Sequence, residues 1–101
     1  YLTNLYNQTL DMFKQNRHTP YLAATAVAFS VDFRPILEKI LIPTLIIAGE
    51  IDIITPVWAA EYIKERVKNA HLVVIPRAGH LTNLETPDVF NTSLREFLAN
   101  L

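Results

Sequence analysis

Apolar and polar positions alternate along this chain with two different periods, and the change of period divides it. From residue 2 to about 16, Leu2, Leu5, Tyr6, Thr9/Leu10 and Phe13 recur at intervals of three and four, the spacing of an amphipathic helix. The pattern stops before His18-Thr19-Pro20, where Thr19 is placed to cap a second helix opened by Pro20 and running to about Ser30. That second segment is alanine-rich and carries little polar surface. Asp32 is expected to cap a short helix over roughly Phe33 to Ile40, with Arg34 and Glu38 one turn apart on its exposed side.

From Thr44 the periodicity is lost in a continuous apolar run, Thr44-Leu-Ile-Ile-Ala48, ended by Gly49. A short run of this kind predicts a strand buried on both faces. Thr55 is expected to cap the next helix and Pro56 to open it. Val57, Ala60, Ile63, Lys64 and Val67 then return at helical spacing, and Asn69 closes the segment. Leu72-Val-Val-Ile75 predicts a second buried strand. Gly79 offers a tight turn into His80. A last helix is expected with Thr86 as its cap, Pro87 first and Asp88 next, its buried stripe being Phe90, Leu94, Phe97, Leu98 and Leu101.

The order strand, helix, strand predicts a parallel pair joined by one crossover. Asp52 follows the first strand and His80 the second, 28 residues apart (80 − 52), a separation that fits one such unit of about 30 residues. Both residues then stand at the carboxyl ends of neighbouring strands, where α/β proteins assemble their sites. A carboxylate there can accept the imidazole Nδ1–H, fix the tautomer and stabilise the imidazolium formed in general-base catalysis. The two glycines of the chain, Gly49 and Gly79, each precede one of these residues and suit strained turns. Other readings stand beside this one. An aspartate in a strand-to-helix turn commonly serves only to satisfy loose backbone donors, and Glu50, nearer the strand end, is a competing acid. His18 and His71 have no such setting and read as surface residues. Trp58, the tyrosines and the phenylalanines read as packing residues.

Composition narrows the classes. At 101 residues, half of them apolar, the chain holds one domain at most and enough apolar side chains for a core. The net charge is −1 and the basic residues are scattered, which argues against a nucleic-acid or anionic-membrane surface. There is no cysteine, hence no disulfide framework or thiolate chemistry. The run Tyr21 to Val31 is about half the ~20 residues of a membrane span. His80, Asp52 and Glu85 lack any His-x-x-x-His type spacing, so no metal is expected, and no cofactor. A cytoplasmic location fits these features.

Pro43-Thr-Leu-Ile-Ile-Ala-Gly-Glu-Ile-Asp-Ile-Ile-Thr-Pro56 resembles the acid-bearing strand and loop of the α/β-hydrolase superfamily. Leu72-Val-Val-Ile-Pro-Arg-Ala-Gly-His-Leu-Thr-Asn-Leu-Glu-Thr-Pro87 is similar to its final strand, histidine loop and last helix. The resemblance covers about residues 32 to 101, and Asp32-Phe-Arg34 resembles a turn that often precedes this region. It implies an α/β fold: the C-terminal fragment of a hydrolase, two parallel strands with flanking helices, preceded over residues 1–31 by the end of a helical cap. It makes Asp52 the triad acid and His80 the triad base. Within the superfamily the pattern is nearest oxoadipate enol-lactonases, small carboxylesterases and cofactor-free haloperoxidases, which implies a small ester or lactone as substrate.

The superfamily also requires a Gly-x-Ser-x-Gly nucleophile elbow and an oxyanion loop before it. Neither occurs here: the serines are Ser30 and Ser93, without flanking glycines. The chain also starts at Tyr1 rather than Met. Two classes of function follow. One is a piece of a hydrolase that supplies acid and histidine but is inactive alone. The other is a noncatalytic module that acts by association. In either case Thr44–Ala48 would lack a neighbour on one side, so a homo-oligomer paired through that strand edge is expected.

Overall fold

The computed structural model describes residues 2–101. It divides into two compact units, Tyr1–Phe33 and Arg34–Leu101.

The first unit is two helices, α1 (Leu2–Lys14) and α2 (His18–Ser30). At their junction Phe13 and Tyr21 meet edge to face, ring centroids 6.5 Å apart. No described residue of either helix is buried. The second helix starts two residues earlier than the sequence suggests. Thr19 lies inside it, and Arg17 holds the cap position without a side-chain hydrogen bond. Pro20 is compatible with this because the first turn of a helix has no use for its N–H.

The second unit opens with the short helix expected there, a 3₁₀ helix over Arg34–Lys39. Strand β1 (Thr44–Gly49), helix α3 (Val57–Arg66) and strand β2 (Ala70–Ile75) follow as one crossover unit. The strands are parallel, in register from Thr44 opposite Ala70 to Gly49 opposite Ile75. A single turn, α4 (Thr82–Glu85), not foreseen from the sequence, precedes α5 (Pro87–Ala99). Helices α3 and α5 both pack on the two strands. The core is small and built of short side chains: Ala48, Ala60, Val67, Ile75 and Ala78, joined by Leu37 from the 3₁₀ turn. Small residues at the strand and helix contacts let the layers close to packing distance.

Several local expectations are corrected. The strands are not buried on both faces: only Ala48, Gly49 and Ile75 are buried within them, and His71 and Val74 are exposed. Among the described residues each strand has a strand neighbour on one side alone. The α5 stripe is likewise shallow, with Phe90 and Phe97 half-buried but Leu94, Leu98 and Leu101 exposed. Phe97 meets His71 edge to face at 6.3 Å. Trp58 is 68% exposed rather than packed. Asn69 does not close α3, which ends at Arg66. Its side-chain amide donates to the Leu41 carbonyl and its own carbonyl accepts the Thr44 N–H at 3.0 Å, tying the start of β1 to the start of β2. Thr86 does hold the cap position of α5, but its hydroxyl donates backward to the Thr82 carbonyl at 2.9 Å. No described helix is long and apolar enough to cross a membrane.

Candidate active site

Beyond Gly49 the chain leaves β1 and turns so that Asp52 lies at the strand end, 8% exposed. Its carboxylate is surrounded by donors. Oδ1 accepts the backbone N–H of Ile54 at 2.8 Å and of Thr55 at 3.1 Å. Oδ2 accepts the Thr55 hydroxyl at 2.9 Å. Oδ2 also lies 2.9 Å from Nδ1 of His80. A carboxylate can only accept, so Nδ1 carries the proton of that bond and Nε2 keeps its lone pair. The imidazole is 44% exposed at its side chain while the Asp52 side chain is nearly covered. Burial works to raise the Asp52 carboxyl, but the bonds from His80, from the Thr55 and Ile54 amides and from the Thr55 hydroxyl outweigh it. Together they hold Asp52 well below the usual carboxylate range.

Thr55 was expected to cap α3, and it does not. Pro56 holds the cap position, and the Thr55 hydroxyl is spent on Asp52. Its oxygen also lies 3.3 Å from His80 Nδ1, so three side chains converge on one proton.

The histidine arrives by a sharper route. Pro76–Gly79 folds back over the end of β1, with Arg77 in the left-handed region at φ 58°. The Ala78 side chain is fully buried, and its carbonyl accepts the Ile51 N–H at 3.0 Å, while the Ile75 carbonyl accepts the Glu50 N–H at 2.9 Å. Glu50, the competing acid, does not reach the imidazole: its Oε2 accepts the Arg77 N–H at 2.7 Å and secures the turn.

The role of the glycines differs from expectation. Neither adopts a positive φ; what matters is the missing Cβ. At Gly49 a Cβ would collide with the carbonyl oxygens of Ala78 and Gly79, so only glycine lets the histidine loop cross the end of β1. At Gly79 a Cβ would stand 3.1 and 3.2 Å from the two carboxylate oxygens of Glu85. The sequence pattern offers Glu85 only as a candidate metal ligand, and the structure gives it another place. Its Oε1 accepts the Gly79 N–H and its Oε2 the Leu81 N–H, both at 3.0 Å. The signal that could have found it is a glutamate four residues beyond the turn it braces, a variant of the back-reaching glutamate of helix capping.

No group of three His, Asp or Glu side chains among the described residues is arranged to hold a metal ion. The two serines turn their hydroxyls onto their own helix carbonyls, Ser30 to Val27 at 3.0 Å and Ser93 to Val89 at 2.9 Å. His18 and His71 are both exposed. A groove of about 730 Å³ lies at the far ends of the strands, lined in part by Pro43, Leu45, His71, Ser93 and Phe97. It includes neither Asp52 nor His80, and the chemistry is better placed at the other end, where the titratable groups converge.

Comparison with known proteins bears on this arrangement. Residues 18–101 match the family described as TAP-like protein. The chain is 33% identical over 87 residues to 3-oxoadipate enol-lactonase 1 of Acinetobacter baylyi, covering 86% of this chain and 32% of that enzyme. It is 36% identical over 75 residues to the pimeloyl-[acyl-carrier protein] methyl ester esterase of Neisseria meningitidis, covering 74% of this chain and 29% of that protein. Among solved structures it is similar to an α/β hydrolase from the metagenome of sediments of the Mar Chica lagoon, Morocco. The TM-score is 0.74 at 30% identity, over 98% of this chain and 44% of that one. The chain thus spans about a third of the length of the curated relatives it matches.

Proposed function

Because the chain belongs to the TAP-like protein family of the α/β-hydrolase superfamily, we propose that Asp52 and His80 are the acid and base of a serine-type triad that cleaves a small ester or lactone. The observation that carries this reading is the 2.9 Å bond between Asp52 Oδ2 and His80 Nδ1, with the Nε2 lone pair left to act as base. In the proposed cycle, a serine hydroxyl from outside these 101 residues attacks the substrate carbonyl as Nε2 takes its proton. The imidazolium is stabilised by Asp52 and returns the proton to the departing alkoxide, leaving an acyl-enzyme. Water then repeats both steps and frees the acid. The oxyanion hole is likewise supplied from outside this chain. In this reading residues 32–101 form the C-terminal part of the core and residues 1–31 the end of a helical cap, in a cytoplasmic enzyme. The similarity to an enol-lactonase and a methyl ester esterase supports the substrate class.

The test needs both the longer parent protein and the 101-residue chain. In the parent, Asp52→Asn and His80→Ala are each expected to lower kcat by about three to four orders of magnitude. The 101-residue chain alone is expected to show no ester turnover above its own His80→Ala control. Near-normal kcat in both parent variants, or a burst traced to Ser30 or Ser93, would overturn the proposal.

A second reading, a noncatalytic association module, is favoured by one feature. Ile51, Ile53, Ile54 and Trp58 are all more than 60% exposed around the Asp52 loop, as on a surface that meets another chain. An in-frame Gly-x-Ser-x-Gly encoded upstream in the gene supports the hydrolase; a genuine start codon near Tyr1 supports the module.

A further inference from the structure

We propose that Glu85 is a positioning residue for His80, holding the imidazole against Asp52 by clamping the backbone on both of its sides. The residues on either side of His80 each present an N–H to one oxygen of the same carboxylate: Gly79 N–H, in the Ala78–Gly79 peptide unit, to Oε1 and Leu81 N–H, in the His80–Leu81 unit, to Oε2, both at 3.0 Å. With both ends of the Gly79–His80 segment tied to one carboxylate, the backbone angles open to it are narrowed, and the direction in which the His80 side chain leaves the loop is narrowed with them. This matters because the His80 imidazole is held at one edge only, where Nδ1 faces Asp52 and Thr55. Its side chain is 44% exposed, its loop contains the left-handed Arg77, and a half-exposed imidazole keeps its rotamer freedom unless its backbone is rigid.

Gly79 supplies an independent observation. Any larger residue there would bring a Cβ to 3.1–3.2 Å from the Glu85 oxygens, so the loop is shaped to admit the carboxylate. Capping of α4 alone does not account for the arrangement. Leu81 is the cap residue of that turn, and a capping carboxylate would bond its N–H only. The bond to Gly79 reaches past the helix, to the other side of the histidine. Glu85 is thereby connected to Asp52 through His80 without touching it.

The consequence for catalysis rests on the reading of His80 as the triad base, but the geometric claim does not, and the experiment separates them. In the unsubstituted chain, amide exchange at Gly79 and Leu81 is expected to be slow, and free exchange at both would overturn the clamp. Nitrogen-15 shifts of the His80 ring, at a pH where the imidazole is neutral, then report which nitrogen carries the proton. The Nδ1–H tautomer is expected to dominate in the unsubstituted chain. Glu85→Gln keeps one acceptor but turns an amide N–H toward Leu81, and is expected to admit the Nε2–H tautomer in part. Glu85→Ala is expected to make Nε2–H the major form. A purely structural role in α4 would leave the tautomer unchanged, and an unchanged Nδ1–H fraction in folded Glu85→Ala would overturn the proposal. Where that variant does not fold, the same result in folded Glu85→Gln overturns it. In the longer parent, Glu85→Ala should lower kcat by about 10²-fold with KM little changed, as misplacement of a base by about 1 Å does. An inactive parent with the tautomer series intact refutes the hydrolase and upholds the clamp; an active parent with a flat tautomer series does the reverse.

Discussion

Asp52 shows how much of a site can depend on where one hydroxyl goes. Thr55 stands before Pro56 and ahead of a helix, a setting that predicts a cap. Instead it donates to Asp52 Oδ2 at 2.9 Å, because the same tight turn that brings its N–H onto Oδ1 also swings its side chain over the carboxylate. The sign of the pH dependence follows. Asp52 is held below the usual carboxylate range, so the stability its bonds contribute is fully present above the unfolded value of about 3.9. It is lost as pH falls from there through the lower folded value. Thr55→Val removes one donor at nearly constant volume, raising the folded value toward the ordinary one. The variant is therefore expected to gain less stability between about pH 2 and pH 5 than the unsubstituted chain does. Asp52→Asn should gain less still. Urea midpoints measured across that range check both, and an acid limb in Thr55→Val as steep as that of the unsubstituted chain would count against this account.

At the level of elements, the question is how two strand ends bring an acid and an imidazole together. The register pairs residues 26 apart (Thr44 with Ala70), whereas Asp52 and His80 stand 28 apart. The surplus is taken up by the turn that folds over the end of β1, at the cost of one left-handed Arg77 and with Gly49 beneath it. Gly49→Ala should therefore be severe, since its Cβ meets backbone carbonyls that cannot rotate away. Gly79→Ala should be milder, because its Cβ meets the end of a flexible glutamate. The expected costs are at or above about 3 kcal/mol for the first, and nearer 1 kcal/mol for the second. Urea unfolding of the two variants gives the order, and equal effects would show that the close approach at Gly49 is not what constrains it. Both strands, their order, the crossover helix and the convergence of Asp52 with His80 were legible in the sequence, because continuous apolar runs and glycine spacing are local signals. The crossing of the loop over β1 was not, since it depends on atoms 29 and 30 residues away. The Glu85 clamp was legible only in half: a glutamate four residues after Leu81 hints at the bond to its N–H, whereas the bond to Gly79 depends on how the loop folds back.

For the whole molecule, the decisive fact is how much apolar surface stays open. Half the residues are apolar, yet the core among the described residues is six small or medium side chains. The sequence pattern predicts strands covered on both faces, and helices α3 and α5 leave much of β1 and β2 only partly covered. Among the described residues β1 pairs with β2 alone, so its other edge presents backbone donors and acceptors to whatever approaches, beside exposed Ile42 and Ile51. Such an edge recruits another strand. A second copy of β1 is the simplest one, because a two-fold axis normal to the sheet sets Thr44–Gly49 antiparallel to itself and satisfies both edges at once. The 101-residue chain purified alone is thus expected to be a dimer or larger, burying more than about 1,000 Å². Ile46→Lys places a charge at the edge and should shift the mass downward, since lysines on edge strands block such pairing. Light scattering at micromolar concentration reads both. A folded, non-aggregating species of 11.5 kDa would show that the edge of β1 is protected in some other way. A mass unchanged by Ile46→Lys would place the association on another surface.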